Sequence, residues 1–283
     1  MKRNKLSFFL SLVLLVVAAT SCQKMDRPGV GTYPADANPP GGPLKFYVAF
    51  DGSSSDVLRN AVDSIRANFP AANSGTSVDG ISGKAYQGSP SSFVQFGAAN
   101  DFAGVTSFTL SFWLKKTPHA AGTGTNFAFA LNAKDYSWTK LQMFLLFEDA
   151  GNPSTVDSAA CKFYLLDQWF EFVGTKRIKN LLNGEWHHLA FTYDETTSTL
   201  STYVDGQAPT NLPAGFGNVS NGGSPRGPLT FSGTSGFTIG GAGDVAKSAN
   251  GWMGNFDGQL DQFRLYGVAL SASEINALFQ SRL

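Results

Sequence analysis

Short apolar segments alternate with polar segments along most of this chain, from residue 45 onward. The apolar segments are rich in aromatic and β-branched residues, and the polar ones are rich in Gly, Ser and Asn. Segments of this length and spacing are typical of an all-β sandwich. The pattern predicts strands at 45–50, 92–96, 107–115, 126–131, 138–147, 162–165, 169–173, 187–193, 200–204, 236–239 and 259–266.

The predicted strand at 107–115 shows the alternation clearly. Successive side chains of a strand point to opposite faces of the sheet. One face carries Phe108, Leu110, Phe112 and Leu114. The other carries Thr109, Ser111, Trp113 and Lys115. One face of this strand must therefore meet a core.

Two predicted strands, 187–193 and 200–204, are separated by a short polar segment and read as a hairpin. Asp205-Gly206 follows and predicts the next turn, because glycine accepts a positive φ. Both strands belong to the same sandwich pattern.

Two segments have helical periodicity instead. Apolar residues of 56–69 fall on one stripe, and they are Val57, Leu58, Ala61, Val62, Ile65 and Phe69. Near the C-terminus, Ser271 and Glu274 have the spacing of a capping box that begins a helix. Both helices should pack on the outside or the rim of the sandwich, since short isolated helices are marginal in water.

Composition agrees with this fold class and excludes some functions. Hydrophobic residues make up 42% of the chain and charged residues 15%. This composition is too apolar for a disordered chain. The 31 glycines and 37 aromatic residues (24 Phe, 8 Tyr, 5 Trp) fit an all-β protein. The 21 basic and 21 acidic residues balance, so nucleic acid is not an expected partner.

The N-terminus has the features of a targeting segment. Residues 1–5 are basic, and residues 6–19 form an apolar run too short to span a bilayer. Ala19-Thr20-Ser21-Cys22 resembles the lipobox of bacterial lipoproteins, which implies that residues 1–21 are a signal peptide and that Cys22 is lipidated. An ordinary secretory cleavage site is the alternative. Cys161 is then left without an intramolecular disulfide partner.

Residues 22–44 read as a tether between the lipid anchor and a domain at 45–283. The segment contains five prolines and four glycines between residues 23 and 44, a composition that favours extended conformations. Gln23-Lys24-Met25-Asp26 weakly resembles signals that send Bacteroidetes lipoproteins to the cell exterior. We therefore expect a lipid-anchored protein of a bacterial outer membrane, exposed at the cell surface. The periplasmic face stays open as the alternative.

Four ordered blocks of sequence resemble the laminin G-like, concanavalin A-like jelly-roll family. They are Phe50-Asp51-Gly52 with Gly83-Lys84-Ala85, residues 107–114, residues 184–194 with 203–206, and residues 256–266 with 269–275. The resemblance spans almost all of 45–283. It implies a sandwich of two antiparallel sheets, all-β, with minor helices that include a short C-terminal one.

The sequence lacks the usual signatures of an enzyme. Relatives with this jelly roll include glycoside hydrolases whose catalytic strand carries a Glu-x-Asp-x-Glu pattern, and that pattern is absent here. Glu148 and Asp149 are adjacent and would point to opposite faces of a strand. His187 and His188 are also adjacent, so packing or hydrogen bonding is expected of them rather than metal binding. Cys161 has no neighbours that would activate a thiol.

Calcium is the one ion that the resemblance implies, because many relatives bind it at the rim of the sandwich through oxygen ligands. The candidate ligands are Asp51, Asp244 and Asp261. Asp244 follows Gly240-Gly241, where the related pentraxins place a calcium-binding acid. Aspartates that cap turns are the alternative. No other cofactor is expected.

Tryptophans provide the candidate ligand site. Trp113 and Trp186 lie in strand motifs and are expected in the core, whereas Trp138, Trp169 and Trp252 lie beside turn-like segments. An exposed indole beside a polar side chain can stack on a sugar ring. The predicted ligand-binding residues are Asp135, Tyr136, Trp138 and Trp252. Plain packing is the competing interpretation for each.

The sequence thus predicts a surface-anchored, non-enzymatic module that binds a polysaccharide or other glycan and contacts the membrane only through its lipid. A protein-binding adhesin or assembly component of the outer membrane is the alternative. A glycoside hydrolase with an unfamiliar site is a third. The fold alone cannot separate them, because it hosts all three classes.

Overall fold

A computed structural model of the protein describes residues 42–50, 76–119, 124–133, 141–148, 153–231, 233–243 and 250–282. Its strands, in chain order, are β1 (Leu44–Val48), β2 (Thr76–Asp79), β3 (Lys84–Gln87), β4 (Val94–Phe96), β5 (Phe108–Lys115), β6 (Thr125–Ala133), β7 (Met143–Phe147), β8 (Ser158–Ala159), β9 (Cys161–Leu165), β10 (Gln168–Phe172), β11 (Ile178–Lys179), β12 (Trp186–Asp194), β13 (Thr199–Val204), β14 (Ser220–Asn221), β15 (Ser224–Pro225), β16 (Thr234–Ile239), β17 (Met253–Asn255) and β18 (Gln259–Tyr266). The described helices are 3₁₀ turns at Asn100–Gly104 and Gly174–Lys176 and the α-helix α1 (Ala272–Ser281).

The strands form two large sheets of seven strands each. The first sheet has the order β13-β12-β5-β18-β3-β2, and β1 pairs with β18 outside this path. The second has the order β10-β9-β7-β6-β16-β4, and β17 pairs with β6. All pairings in both sheets are antiparallel except that of β17 with β6, which is parallel. The predicted all-β jelly-roll sandwich is confirmed.

Aromatic side chains of the two inner faces meet in the core. Phe46 of β1 contacts Phe237 of β16 with ring centroids 4.3 Å apart. Phe163 of β9 stacks on Phe191 of β12 at 4.4 Å. These contacts join one sheet to the other, as aromatic pairs do in well-packed cores. Many of the phenylalanines in the sequence therefore pack between the two sheets.

The outer face of the first sheet is covered by α1. The capping box is formed as predicted: the Ser271 side chain accepts a hydrogen bond from the Glu274 N–H, and the Glu274 carboxylate accepts one from the Ser271 N–H. Phe279 of α1 stacks on Trp113 of β5, with centroids 5.6 Å apart. Strand β5 is therefore buried on both faces, and Trp113 lies in a second packed layer, under α1.

The hairpin of β12 and β13 and the turn after it also follow the prediction. Asp205 and Gly206 both have positive φ, 51° and 75°. A side chain at Gly206 would meet the Asn276 side chain of α1 at 2.7 Å. Glycine is thus required here both for backbone conformation and for the approach of the helix.

Several predicted boundaries differ from the observed ones. The segment predicted as one strand over 138–147 begins its strand only at Met143, and 138–140 lie outside the described residues. Seven strands of two to four residues each were not predicted, and they are β2, β3, β8, β11, β14, β15 and β17. The predicted helix at 56–69, the signal peptide and the tether also lie outside the described residues. None of the helices in the described ranges has the length and apolar character to cross a bilayer.

Candidate functional site

A chain of five aromatic rings crosses the outer face of the second sheet. We call it the aromatic row, and it consists of Trp252, Phe127, Phe144, Tyr164 and Trp169. Each ring contacts the next, with centroids between 4.8 Å and 5.9 Å apart. The strands that carry the row are neighbours in the sheet, so the rings are held on a rigid base.

Strand register brings three of these rings together. Phe144 on β7 is paired with Tyr164 on β9, and Tyr164 is paired with Trp169 on β10. Phe144 stacks on Tyr164 at 4.8 Å, and Trp169 packs edge-on against both, at 5.3 Å and 5.0 Å. Directly opposed side chains on one face are the pairs that interact most in antiparallel sheets.

A β-bulge in β6 brings Phe127 into the row. Residues two apart on a regular strand share a face. The pairing of β6 with β7 shifts between Phe127 and Phe129, however, and the extra residue turns Phe127 to the outer face while Phe129 packs in the core. Phe127 then lies 5.3 Å from Phe144 and 5.9 Å from Trp252.

Trp252 lies on the turn before β17 and is tied to β6 through its backbone. Its carbonyl oxygen accepts hydrogen bonds from the Thr125 N–H at 3.0 Å and from the Thr125 hydroxyl at 3.1 Å. A side chain at Gly124, whose φ is 87°, would meet that same carbonyl at 2.8 Å. The indole is therefore positioned by the sheet although it belongs to a turn.

The two ends of the aromatic row are open to solvent, whereas Phe127 and Phe144 are buried and Tyr164 is half-buried. Trp169 and Trp252 are each 38% exposed, and they are two of the four exposed large hydrophobic residues in the described ranges. Phe127 and Phe144 are fully buried beneath them. Exposed indoles supported by buried rings present flat apolar surfaces with little side-chain freedom to lose on binding.

A cluster of charges flanks the row on β9 and β10. Lys162 Nζ lies 2.7 Å from Glu148 Oε1 and 2.9 Å from Glu171 Oε1, and 5.7 Å from the centre of the Trp169 ring. Burial acts to lower the pKa of Lys162, but the hydrogen bonds and charges of both glutamates raise it overall. The ammonium group is therefore firmly charged and held between two carboxylates.

A second ion pair lies at the turn between β9 and β10. The Arg226 guanidinium donates to Asp167 Oδ1, and also to the Ser220 carbonyl at 3.0 Å. The same turn is held by Gln168, whose amide donates to the Asn218 carbonyl at 2.7 Å. Burial and the charge of Asp167 raise the pKa of Tyr164, and Arg226 partly opposes them. Tyr164 is thus a neutral phenol beside these charges.

Of the predicted ligand-binding residues, the structure describes Trp252 and places it at one end of the aromatic row. Asp135, Tyr136 and Trp138 lie outside the described residues, in the connection between β6 and β7. The prediction for these three residues therefore stays a prediction.

Other members of the site were not predicted. Trp169 was named as a turn-flanking tryptophan but was left out of the predicted site, and Tyr164, Lys162 and Glu171 were missed. The alternation of apolar and polar residues on both sides of the Leu166-Asp167 turn could have indicated them. Every second residue of the two strands points into the core, and these residues are Cys161, Phe163, Phe170 and Phe172. The residues between them must therefore share the outer face.

Of the proposed calcium ligands, Asp261 is described and is fully buried. Its carboxylate accepts hydrogen bonds from the N–H groups of Ile81 at 2.8 Å and Gln262 at 2.7 Å, with Ser82 at 3.4 Å. Asp51 and Asp244 lie outside the described residues. In the ranges that the structure covers, no three His, Cys, Asp or Glu side chains form a group suited to a metal ion.

The adjacent histidines form hydrogen bonds, as predicted. His188 Nε2 lies 2.8 Å from the Ser111 hydroxyl under α1. His187 Nδ1 lies 2.8 Å from Asp205 Oδ2. The Cys161 thiol is buried in the core, and burial together with Glu148 raises its pKa, so it is unsuited to act as a nucleophile.

Comparison with protein families decides the classification. A laminin G model described as the concanavalin A-like lectin/glucanases superfamily matches residues 87–276, more than half of the chain. The chain belongs to this superfamily. The resemblance seen in the sequence is confirmed, whereas the lipoprotein signal and the Bacteroidetes origin stay predictions. Comparison with curated proteins gives no match.

Solved structures of similar fold include binding domains and chains of enzymes. The binding domain of botulinum neurotoxin DC, in complex with SialylT, is 11% identical with a TM-score of 0.52 and matches 85% of this chain and 52% of its own. Domain 4 of AbnA, a GH43 extracellular arabinanase from Geobacillus stearothermophilus in complex with arabinotriose, is 18% identical with a TM-score of 0.48 over 84% of this chain and 98% of its own. Trypanosoma rangeli sialidase is 18% identical with a TM-score of 0.48 over 85% of this chain. This chain spans about half of the neurotoxin chain and 33% of the sialidase chain.

Proposed function

We propose that this protein is a surface-anchored, non-enzymatic carbohydrate-binding protein and that the aromatic row binds the glycan. The observation that carries the proposal is the pair of half-open indoles, Trp169 and Trp252, supported by buried rings on one sheet face. The apolar faces of sugar rings stack on such surfaces.

Polar groups beside the indoles support a sugar rather than a purely apolar ligand. The Glu171 side chain is 45% exposed, and Glu171 lies opposite Lys162, two residues from Trp169 on the same strand. Carboxylate oxygens accept hydrogen bonds from sugar hydroxyls and so orient a ring that stacking alone would leave free to rotate. Binding sites of this kind combine apolar area with a few fixed polar groups.

The non-enzymatic character is supported by the contacts of the carboxylates. Glycosidases use a pair of carboxyl groups, one of which donates a proton to the leaving group. Glu148 and Glu171 instead share one partner, the Lys162 ammonium, at 2.7 Å and 2.9 Å. Both carboxylates act as acceptors in this ion-pair cluster, which suits them to orient a ligand.

Removal of one exposed indole tests the proposal. The full-length protein in detergent would be applied to a glycan array and to insoluble polysaccharides. Trp169→Ala and Trp252→Ala should each weaken retention about tenfold or more, as removal of a central aromatic contact does. Each should lower the free energy of unfolding by only about 1–2 kcal/mol, since both rings are already partly exposed.

The matched control is Trp186→Ala, which removes an indole from the first sheet. It should leave glycan retention unchanged. Retention that survives both row substitutions would move the site elsewhere, with the Asp135, Tyr136 and Trp138 segment as the next candidate. A wild-type protein that retains no glycan would refute the proposal and favour a protein-binding adhesin.

A further inference from the structure

The charges beside the aromatic row point to the class of glycan that it would accept. Lys162 and Arg226 lie beside the row, and each is already paired with carboxylates. Lys162 is bound by Glu148 and Glu171, and Arg226 by Asp167. These three carboxylates and two cations leave the cluster with one net negative charge.

Glu148 is buried, but the other two acid groups of the cluster, Glu171 and Asp167, lie on the outside. The Lys162 side chain is 24% exposed, whereas that of Glu171 is 45% exposed and that of Asp167 is 66% exposed. The Arg226 side chain is only 10% exposed. A ligand that stacks on Trp169 therefore meets carboxylate oxygens before it meets either cation.

This arrangement affects charged and uncharged sugars in opposite ways. Hydroxyl groups can donate to the exposed carboxylates, which suits an uncharged sugar. A carboxylate or sulfate on the ligand would instead be repelled by Glu171 and Asp167, because like charges a few ångströms apart interact strongly near a protein surface. Both cations already contact carboxylates of this chain, which reduces the attraction that they can offer to an acidic ligand.

We infer that the aromatic row selects uncharged glycans and disfavours glycans whose stacked sugar carries a carboxylate or sulfate group. The inference rests on the proposed function, because it names the ligand class of the same site. It adds a selectivity that the stacking surface alone does not have, since indole rings accept charged and uncharged sugars alike.

Matched pairs of glycans test this selectivity. The array would hold each neutral oligosaccharide beside its acidic counterpart, such as lactose with sialyllactose and a neutral hexose oligomer with the corresponding uronate oligomer. The full-length wild-type protein should retain the neutral member about tenfold better at low salt, and added salt should reduce the difference.

Two substitutions should move the preference in opposite directions. Glu171→Gln removes one negative charge and keeps the size of the side chain. The ratio of neutral to acidic glycan retained should therefore fall about fivefold. Lys162→Met removes the cation and leaves both glutamates, so the preference should widen. Glu185→Gln, an exposed glutamate outside the second sheet, is the matched control and should leave the ratio unchanged.

The possible outcomes separate the inference from the proposed function. Retention of acidic members as strong as that of neutral ones would overturn the inference and leave glycan binding intact. An unchanged ratio in Glu171→Gln would also overturn it, because the cluster would then not be the cause of selectivity. If no glycan of either class is retained, the proposed function fails and this inference fails with it. A loss of folding alone would lower both members of a pair equally and would not alter their ratio.

Discussion

His188 is a buried titratable residue whose charge state is set by its surroundings. The side chain is 1% exposed, lies 2.8 Å from the Ser111 hydroxyl, and contacts the Trp113 ring with centroids 5.4 Å apart. Burial and, next, the positive charge of Arg264 lower its pKa to about 4, against a smaller opposing effect of Asp205. The imidazole is therefore neutral in the folded protein at neutral pH.

This shift predicts a loss of stability in mild acid. The unfolded chain takes up a proton on His188 below about pH 6.5, whereas the folded protein does so only near pH 4, so stability falls as the pH drops through this window. The loss should approach about 3 kcal/mol near pH 4. Urea unfolding at several pH values would measure it in the wild type and in His188→Gln. Parallel pH profiles for the two proteins would show that His188 is not the cause.

Helix α1 is the element that closes the outer face of the first sheet. The Phe279 ring of this helix packs over Trp113 and His188. Ile275 is the residue of the helix that is buried. A helix of ten residues is marginal by itself in water, so its start signal and its packing must act together.

The capping box should therefore be measurable in the stability of the whole domain. Ser271→Ala removes the acceptor for the Glu274 N–H and should lower the free energy of unfolding by about 1 kcal/mol. Ser271→Asn keeps an acceptor at the same position and is the matched control, with a much smaller effect. Urea unfolding followed by tryptophan fluorescence would compare them. Equal stability of the wild type and the alanine variant would show that packing alone holds α1.

The two outer faces of the whole molecule are used differently. Helix α1 covers the outer face of the first sheet. The outer face of the second sheet carries the aromatic row, and Trp169 and Trp252 at its ends are open to solvent. If the proposed function is correct, a ligand approaches the second sheet. The two sheets have seven strands each, and they differ in that α1 covers the outer face of the first.

At the scale of the whole molecule, lipidation of Cys22 remains the predicted means of attachment. Cys22→Ala should move the protein from the membrane fraction to a soluble pool, because a lipid chain supplies the apolar area that holds such proteins at a bilayer. Fractionation and mass spectrometry of the N-terminal peptide would measure the change. Unaltered membrane fractionation together with an unmodified Cys22 peptide would contradict the prediction.

The sequence by itself determined the fold class and the features that depend on neighbouring residues. Alternation predicted β5 and the hairpin of β12 and β13, and the spacing of Ser271 and Glu274 predicted the start of α1. These features are local, because the direction of a side chain on a strand or in a helix cap depends on residues a few positions away. The family could be predicted because four blocks of neighbouring residues occur in the order that is typical of it.

The aromatic row was decided only by the tertiary structure. Its five rings come from four strands and a turn, and they meet because of cross-strand register and because a bulge turns Phe127 outward. Local periodicity does not state which strand lies beside which, and a shift of one residue moves a side chain to the opposite face. For the same reason, the contact of Lys162 with both Glu148 and Glu171 could not be read from their positions in the sequence.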